Sequence, residues 1–160
     1  MFVNFLKIFR KQFFSLPIVI FFVTTCVLAL CPTGWLFFNN SYFKEFITAV
    51  TWNDAQQVCE SLNSNLKSIR SAAESDFILG QVRSADTHEF WIGFTDRANE
   101  GSFEWVDGSD VTYTNWIEGQ PDDLQSNQDC GIFVLNWNFG WDDDTCSSHT
   151  SRYICRKDIN

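Results

Sequence analysis

The chain has 160 residues, room for one domain and a short appendage, with 20 Asp/Glu against 11 Lys/Arg and a net charge of −9. Residues 31–160 alone hold eight basic against twenty acidic side chains, a net of −12. That balance excludes nucleic acid and anionic membrane as partners, since both demand positive charge.

The chain opens on MFVNFLKIFRKQ, with Lys7, Arg10 and Lys11 and no acid, followed by the apolar run LPIVIFFVTTCVLAL. A basic start and an apolar run of this length make a signal peptide. Val27 and Ala29 fit the small-residue positions of a cleavage site, which places the cut near Ala29–Leu30 and assigns residues 1–29 to the leader. The alternative is an uncleaved anchor over Phe13 to Leu30, at the short edge of a bilayer span. Cleavage predicts a secreted, extracellular protein without stable membrane insertion; retention predicts a type II membrane-anchored protein with an external domain. Asn39-Asn40-Ser41 is an N-glycosylation sequon at Asn39.

Thr51-Trp52-Asn53-Asp54 has the form of a capping box, Thr51 as N-cap and Asp54 reaching back. Trp52, Ala55, Val58, Cys59 and Leu62 then recur at helical spacing, which predicts an amphipathic helix over 52–62. Ser71-Ala72-Ala73-Glu74 repeats the signal, with Ala73, Phe77, Ile78 and Val82 as its apolar stripe. Beyond residue 88 the helical period disappears, and 90–94, 102–106, 131–135 and 152–155 read as strands. Asp107-Gly108 is a turn. Trp91, Trp105 and Trp141 sit in strand-like runs and Trp52 on a helix face, so these four belong to the core; Trp116 and Trp137 fit either core or site.

Val111 to Asp129 has little regular period, and loops of that length are functional or disordered. Tyr113, Trp116 and bracketing cysteines argue against disorder. Within it, IEGQPDDLQSNQDC (Ile117 to Cys130) offers almost nothing apolar to bury. The architecture is α+β: two early helices packed on antiparallel strands, with a long loop on one side.

Twelve acids and one base, Arg97, fall between Asp96 and Asp144, a density that a bound cation would relieve. Enzymatic chemistry finds no support. His88 and His149 are the only histidines, and neither has zinc-type spacing. Five cysteines follow the leader, Cys31, Cys59, Cys130, Cys146 and Cys155; in an exported protein four of them pair and one is left over.

In order, the chain reads CPTGW at 31–35, TWNDAQQVC at 51–59, NLKSIRSAAE at 65–74, WIGF at 91–94, and GSFEWVDGS at 101–109. YTNWIEGQPD at 113–122, DC at 129–130, WDDDTC at 141–146 and YICRK at 153–157 complete the series. This succession resembles a C-type lectin domain over residues 31–157. The resemblance implies Cys59–Cys155 and Cys130–Cys146 disulfides, the second closing the end of the long loop. A crosslink of that span contributes about 3 kcal/mol in the chain-entropy model. Many members add a hairpin bond from a cysteine placed like Cys31 to one near Ser41. Here Ser41 removes that partner, and Cys31 is either free or bridges a second chain in a disulfide-linked oligomer.

The resemblance also implies calcium, which takes six to eight oxygen ligands. The primary site maps to Gln120, Asp122, Gln128, Asp142 and Asp143, with a cis Gln120–Pro121 bond. An auxiliary site maps to Asp96, Glu100, Asp123 and Asp129, with Gln128 as a shared ligand. Two primary positions depart from the family pattern: Gln128 stands where glutamate is usual, and Asp142 where asparagine is usual. The two changes cancel in charge, leaving three negative charges as in the common pattern.

Sugar-binding members complete the calcium shell with two neighbouring sugar hydroxyls, each held between one acid and one amide. Gln120 with Asp122 supplies one such pair and Gln128 with Asp142 the other, roles reversed. Gln120-Pro121-Asp122 resembles the galactose-type motif, although Leu124 stands where galactose binders usually present an aromatic. The expected function is calcium-dependent glycan binding, galactose-type or to other sugars with vicinal hydroxyls, in defence or adhesion. The rival is a domain of the same fold that binds a protein or another surface without calcium.

Overall fold

In the computed structural model, which describes residues 32–81, 89–136 and 139–159, the capping residues start a helix as expected. Thr51 Oγ1 accepts the Asp54 N–H at 3.2 Å and donates to the Asp54 carboxylate at 2.7 Å. Helix α1 (Trp52–Ser61) buries Trp52, Ala55 and Cys59. Leu62 leaves that stripe: it is the C-cap, 37% exposed, where the chain turns away through Asn63 at φ 52°. Asparagine is among the few residues that enter the left-handed region readily.

Helix α2 (Ala72–Gln81) starts where Ser71 Oγ accepts the Glu74 N–H at 3.3 Å. Its inward face is Glu74, Ser75 and Ile78, so of the expected stripe Ile78 is buried and Phe77 packs against the core, while Glu74 and Ser75 were not expected there. Ala73 is exposed, Phe77 half-buried, and Val82 lies outside the described residues. An ion pair selects this face. Lys67, fully buried, places Nζ 2.8 Å from Glu74 Oε2, and Arg156 Nη1 lies 3.4 Å from the same oxygen. Burial draws the Lys67 pKa down to about 8 against the pull of Glu74. Against burial, the charge and hydrogen bond of Lys67, then the backbone N–H and charge of Arg70, hold the Glu74 carboxyl below the usual range. Helical periodicity treats a glutamate as an outside residue, so the stripe could not identify this face.

Eight strands occur among the described residues: β1 Leu36–Phe38, β2 Ser41–Val50, β3 Asn65–Leu66, β4 Glu89–Thr95, β5 Glu104–Trp105, β6 Cys130–Val134, β7 Gly140–Asp144 and β8 Ser151–Asp158. They form one sheet in the order β1-β2-β8-β4-β6-β7, with β3 on β8 and β5 on β4. The expectation of antiparallel strands needs one correction: β4 and β8 pair in parallel, Phe90 opposite Arg152 and Trp91 opposite Tyr153. The last strand enters between β2 and β4, whose directions are already opposed, so it can be antiparallel to only one of them. The expected strand at 102–106 shortens to two residues.

The β1–β2 hairpin and strand β7 lie outside the runs that the sequence marks as strands. β1 and β2 join through Asn39 and Asn40, at φ 45° and 62°, the left-handed pair of a two-residue hairpin turn. Asn39 is exposed there, and its Nδ2 donates to Glu74 Oε1 at 3.4 Å. Ser41, buried, donates to Asp158 Oδ1 at 2.6 Å. Cys31 and the leader lie outside the described residues. β7 contains three consecutive acids, which strand propensity disfavours, yet it pairs with β6 from Val134↔Gly140 to Cys130↔Asp144.

Trp52, Trp91 and Trp141 are fully buried and Trp105 nearly so, as their positions predict. Trp116 packs half-buried on the cluster of Trp105 and Trp141, its ring 4.8 Å from Phe103 and 5.6 Å from Phe94, while Trp137 lies outside the described residues. The Cys59–Cys155 disulfide ties α1 to β8. Glu74→Ala would leave Lys67 buried without its carboxylate and Arg156 with Asp158 alone, and is expected to cost about 3–5 kcal/mol, read as a lower urea midpoint.

Candidate functional site

The strand register brings the acids together. Thr95 pairs with Cys130, and Cys130 with Asp144, so the ends of β4, β6 and β7 lie side by side. Asp96, Asp129 and the Asp142–Asp144 run therefore share one edge region of the sheet. Thr95 Oγ1 donates to the Asp129 carbonyl at 2.7 Å, and the Asp96 N–H donates to the same oxygen at 3.3 Å. The Cys130–Cys146 disulfide closes this end.

The long loop leaves and re-enters along β7. The Trp141 N–H donates to the Asn115 carbonyl at 2.7 Å, and the Ile117 N–H to the Trp141 carbonyl at 2.9 Å. Gly140 permits this approach, since a Cβ there would lie 2.6 Å from Ile117 Cγ1 and 3.1 Å from the Asn115 oxygen. The Gln120–Pro121 bond is cis, as the resemblance implies.

Beyond Pro121 the loop folds onto Asp143. This buried carboxylate accepts the Asp122 N–H at 3.0 Å and the Asp123 N–H at 2.8 Å, one on each oxygen. Gln128 closes the segment: Oε1 accepts the Leu124 N–H at 2.7 Å, and Nε2 donates to the Asp143 carbonyl at 2.9 Å. The Gln128 N–H donates to Asp123 Oδ1 at 3.1 Å. Asp122, Asp123, Gln128 and Asp143 thus belong to one network.

Asp142 lies opposite Ile132 on β7, its Oδ1 accepting the Asp143 N–H at 2.9 Å. Its pKa is pushed up to about 6, first by burial and then by the charges of Asp143, Asp122 and Asp144, against that hydrogen bond. Burial also raises the Asp143 carboxyl, despite the N–H groups of Asp122 and Asp123.

Asp96, Glu100 and Asp129 each bring one carboxylate oxygen to within 4.8 Å of the others. Partial desolvation, then the charges of Asp96, Asp123 and Asp129, raise the exposed Glu100 carboxyl. Asp96, Asp123 and Asp129 are thus each within electrostatic reach of Glu100, while Asp123 stands outside the trio whose oxygens converge. Asp96 Oδ2 accepts the Gly101 N–H at 2.8 Å.

Two buried oxygens test the fit of a hard cation. Asp96 Oδ1 and Gln120 Oε1 have no hydrogen-bond partner. A buried oxygen left unpaired costs about 1–3 kcal/mol, and here one falls in each group of acids. Carboxylate and amide oxygens are what calcium prefers; among the described residues, the acids whose oxygens converge closely enough to share one ion are Asp96, Glu100 and Asp129.

Sequence reasoning found the acids but missed what holds them. Nothing in its spacing marked Asp143 as the acceptor of two loop N–H groups, or Gln128 as a tie between the loop and β7. Both depend on the pairing of β6 with β7.

The Lectin C-type domain model matches residues 48–157, and the chain belongs to that family. It is 37% identical over 139 residues to the alpha-N-acetylgalactosamine-specific lectin of Patiria pectinifera, covering 79% of this chain and 82% of that protein. The crystal structure of the C-type lectin CEL-I from Cucumaria echinata superposes with a TM-score of 0.74 at 34% identity, covering 79% and 96% of the two chains. A calcium-independent type II antifreeze protein gives 0.73 at 30% identity, covering 81% and 95%. The chain is thus a C-type lectin domain protein, of a non-enzymatic class with carbohydrate-binding relatives.

Removing the loop-closing crosslink with Cys130→Ser and Cys146→Ser is expected to lower unfolding stability by about 3 kcal/mol. Guanidinium titration of the variant beside the parent measures it.

Proposed function

We propose that this chain is an exported lectin whose long loop binds carbohydrate through calcium. Gln120, Asp122, Gln128, Asp142 and Asp143 would hold the primary ion, and Asp96, Glu100, Asp123 and Asp129 an auxiliary one. The observation that carries this reading is the buried, unpartnered Gln120 Oε1 beside Pro121 and Asp122. When bound, calcium supplies open coordination positions that two neighbouring sugar hydroxyls complete. The chain's own part is to offer each hydroxyl one acid and one amide: Asp122 with Gln120, and Asp142 with Gln128.

The Gln120-Pro121-Asp122 motif and the N-acetylgalactosamine-specific relative favour a galactose-type sugar. Leu124, 58% exposed, supplies an aliphatic surface where an aromatic ring would stack. Contact of that kind gives a weak single site, raised by multivalency. The basic and apolar leader at residues 1–29 supports export, and the sequon at the exposed Asn39 supports glycosylation. No helix among the described residues is long and apolar enough to cross a membrane.

The refolded, oxidised protein is expected to be retained on galactose-agarose more strongly than on mannose-agarose in calcium, and to elute with a chelator. Retention that ignores the chelator, together with a melting temperature indifferent to calcium, would favour calcium-independent binding to a protein or surface. Asp142→Asn leaves two amides in the second pair and removes one charge, and is expected to weaken calcium-dependent retention by about tenfold. A variant that binds as well as the parent would overturn the paired acid–amide reading.

A further inference from the structure

The loop has a fastening of its own, and Gln128 is its centre. The amide spans two partners of opposite kind, the Leu124 N–H at 2.7 Å and the Asp143 carbonyl at 2.9 Å. One partner only donates and the other only accepts, so the orientation of the amide is dictated by its neighbours. Glutamate has the same length, but it could accept the Leu124 N–H only by setting its other carboxylate oxygen against the Asp143 carbonyl, acceptor against acceptor, which drives the side chain from both partners. The residue usual at this position in C-type lectins is therefore incompatible with the fastening seen here.

The backbone between the two ends needs such a tie. Asp123, Gln125 and Ser126 all have positive φ, at 43°, 65° and 52°. Three non-glycine residues in that region within four positions are unfavourable unless their surroundings hold them there. Asp143 holds the start of the segment through the Asp122 and Asp123 N–H groups, and Gln128 holds its end.

We propose that Gln128 is a positioning residue that orders the segment 122–128 against β7 without metal, so the loop is already formed when calcium arrives. The negative charge absent at Gln128 is supplied by Asp142. The metal-free part of the inference stands apart from the calcium reading; only the recovery in calcium described next rests on it.

Hydrogen exchange of the loop amides, on the full chain with its disulfides formed, tests this in chelator and in excess calcium. In the parent, the Leu124 amide is expected to be protected in both. In Gln128→Glu its protection in chelator is expected to fall by about tenfold and to return in calcium, because the new carboxylate is a stronger ligand. Equal protection of parent and variant in chelator, or an unprotected Leu124 in the metal-free parent, would overturn the proposal. Loss in chelator without recovery in calcium would leave the fastening intact and count against the primary calcium site. Amides of β6 report whether the variant remains folded. If they too lose protection, Gln128→Met gives the same reading, since it removes both side-chain bonds without adding charge: loss confined to the loop supports the fastening, and a loop protected as in the parent overturns it.

Discussion

The buried carboxylate of Asp143 is where sheet and loop become one structure. It sits on β7, nearly inaccessible, and each oxygen accepts a backbone N–H from the segment just beyond Pro121. An apolar-poor loop cannot be held by burial of hydrocarbon, so hydrogen bonds to a charged acceptor must do it, and such bonds are about twice as strong as neutral ones. The position of that acceptor follows from the β6–β7 register, in which Gly131 lies opposite Asp143. A slip of one residue would turn Asp143 to the other face and release the loop.

Rigid aromatic packing keeps this register in place. Trp141 precedes the acids, is fully buried, and meets Trp105 and Phe94 edge-on at 5.5 and 5.4 Å. Asp142 and Asp143 are thereby presented from a strand whose neighbour is locked in the core, an arrangement more rigid than a site built on loops alone. The disulfide between Cys130 and Cys146 shortens the path by which this end could open.

Charge is tolerated in two different ways within one domain. Glu74 is buried but paired with Lys67 and Arg156, and Lys67 with Arg70 holds its carboxyl below the usual range. The acids at the loop have no such cation among the described residues, and burial and like charges raise Asp142, Asp143 and Glu100. The first arrangement sets opposite charges against each other and is structural, although Arg156 Nη2 is itself buried without a partner. The second gathers like charges and leaves acceptor oxygens unpaired at Asp96 and Gln120, which an external cation would relieve.

By itself, the sequence determined the helix starts, the tryptophan core, the acid-rich loop and the residues grouped at its end. These rest on local chemistry: a capping hydroxyl, helical periodicity, aromatic strand runs, and an ordered succession of family motifs. Tertiary structure alone decided that Glu74 and Ser75 turn inward beside Ile78 on α2, the parallel pairing of β8 with β4, and the strand character of Gly140–Asp144. Each depends on a partner distant in the chain: Lys67 and Arg156 for Glu74, β2 and β4 for β8, and Cys130–Val134 for three acids that no local preference would extend. The role of Gln128 belongs with these, because an amide's two functions acquire meaning only when a donor and an acceptor from separate segments face it.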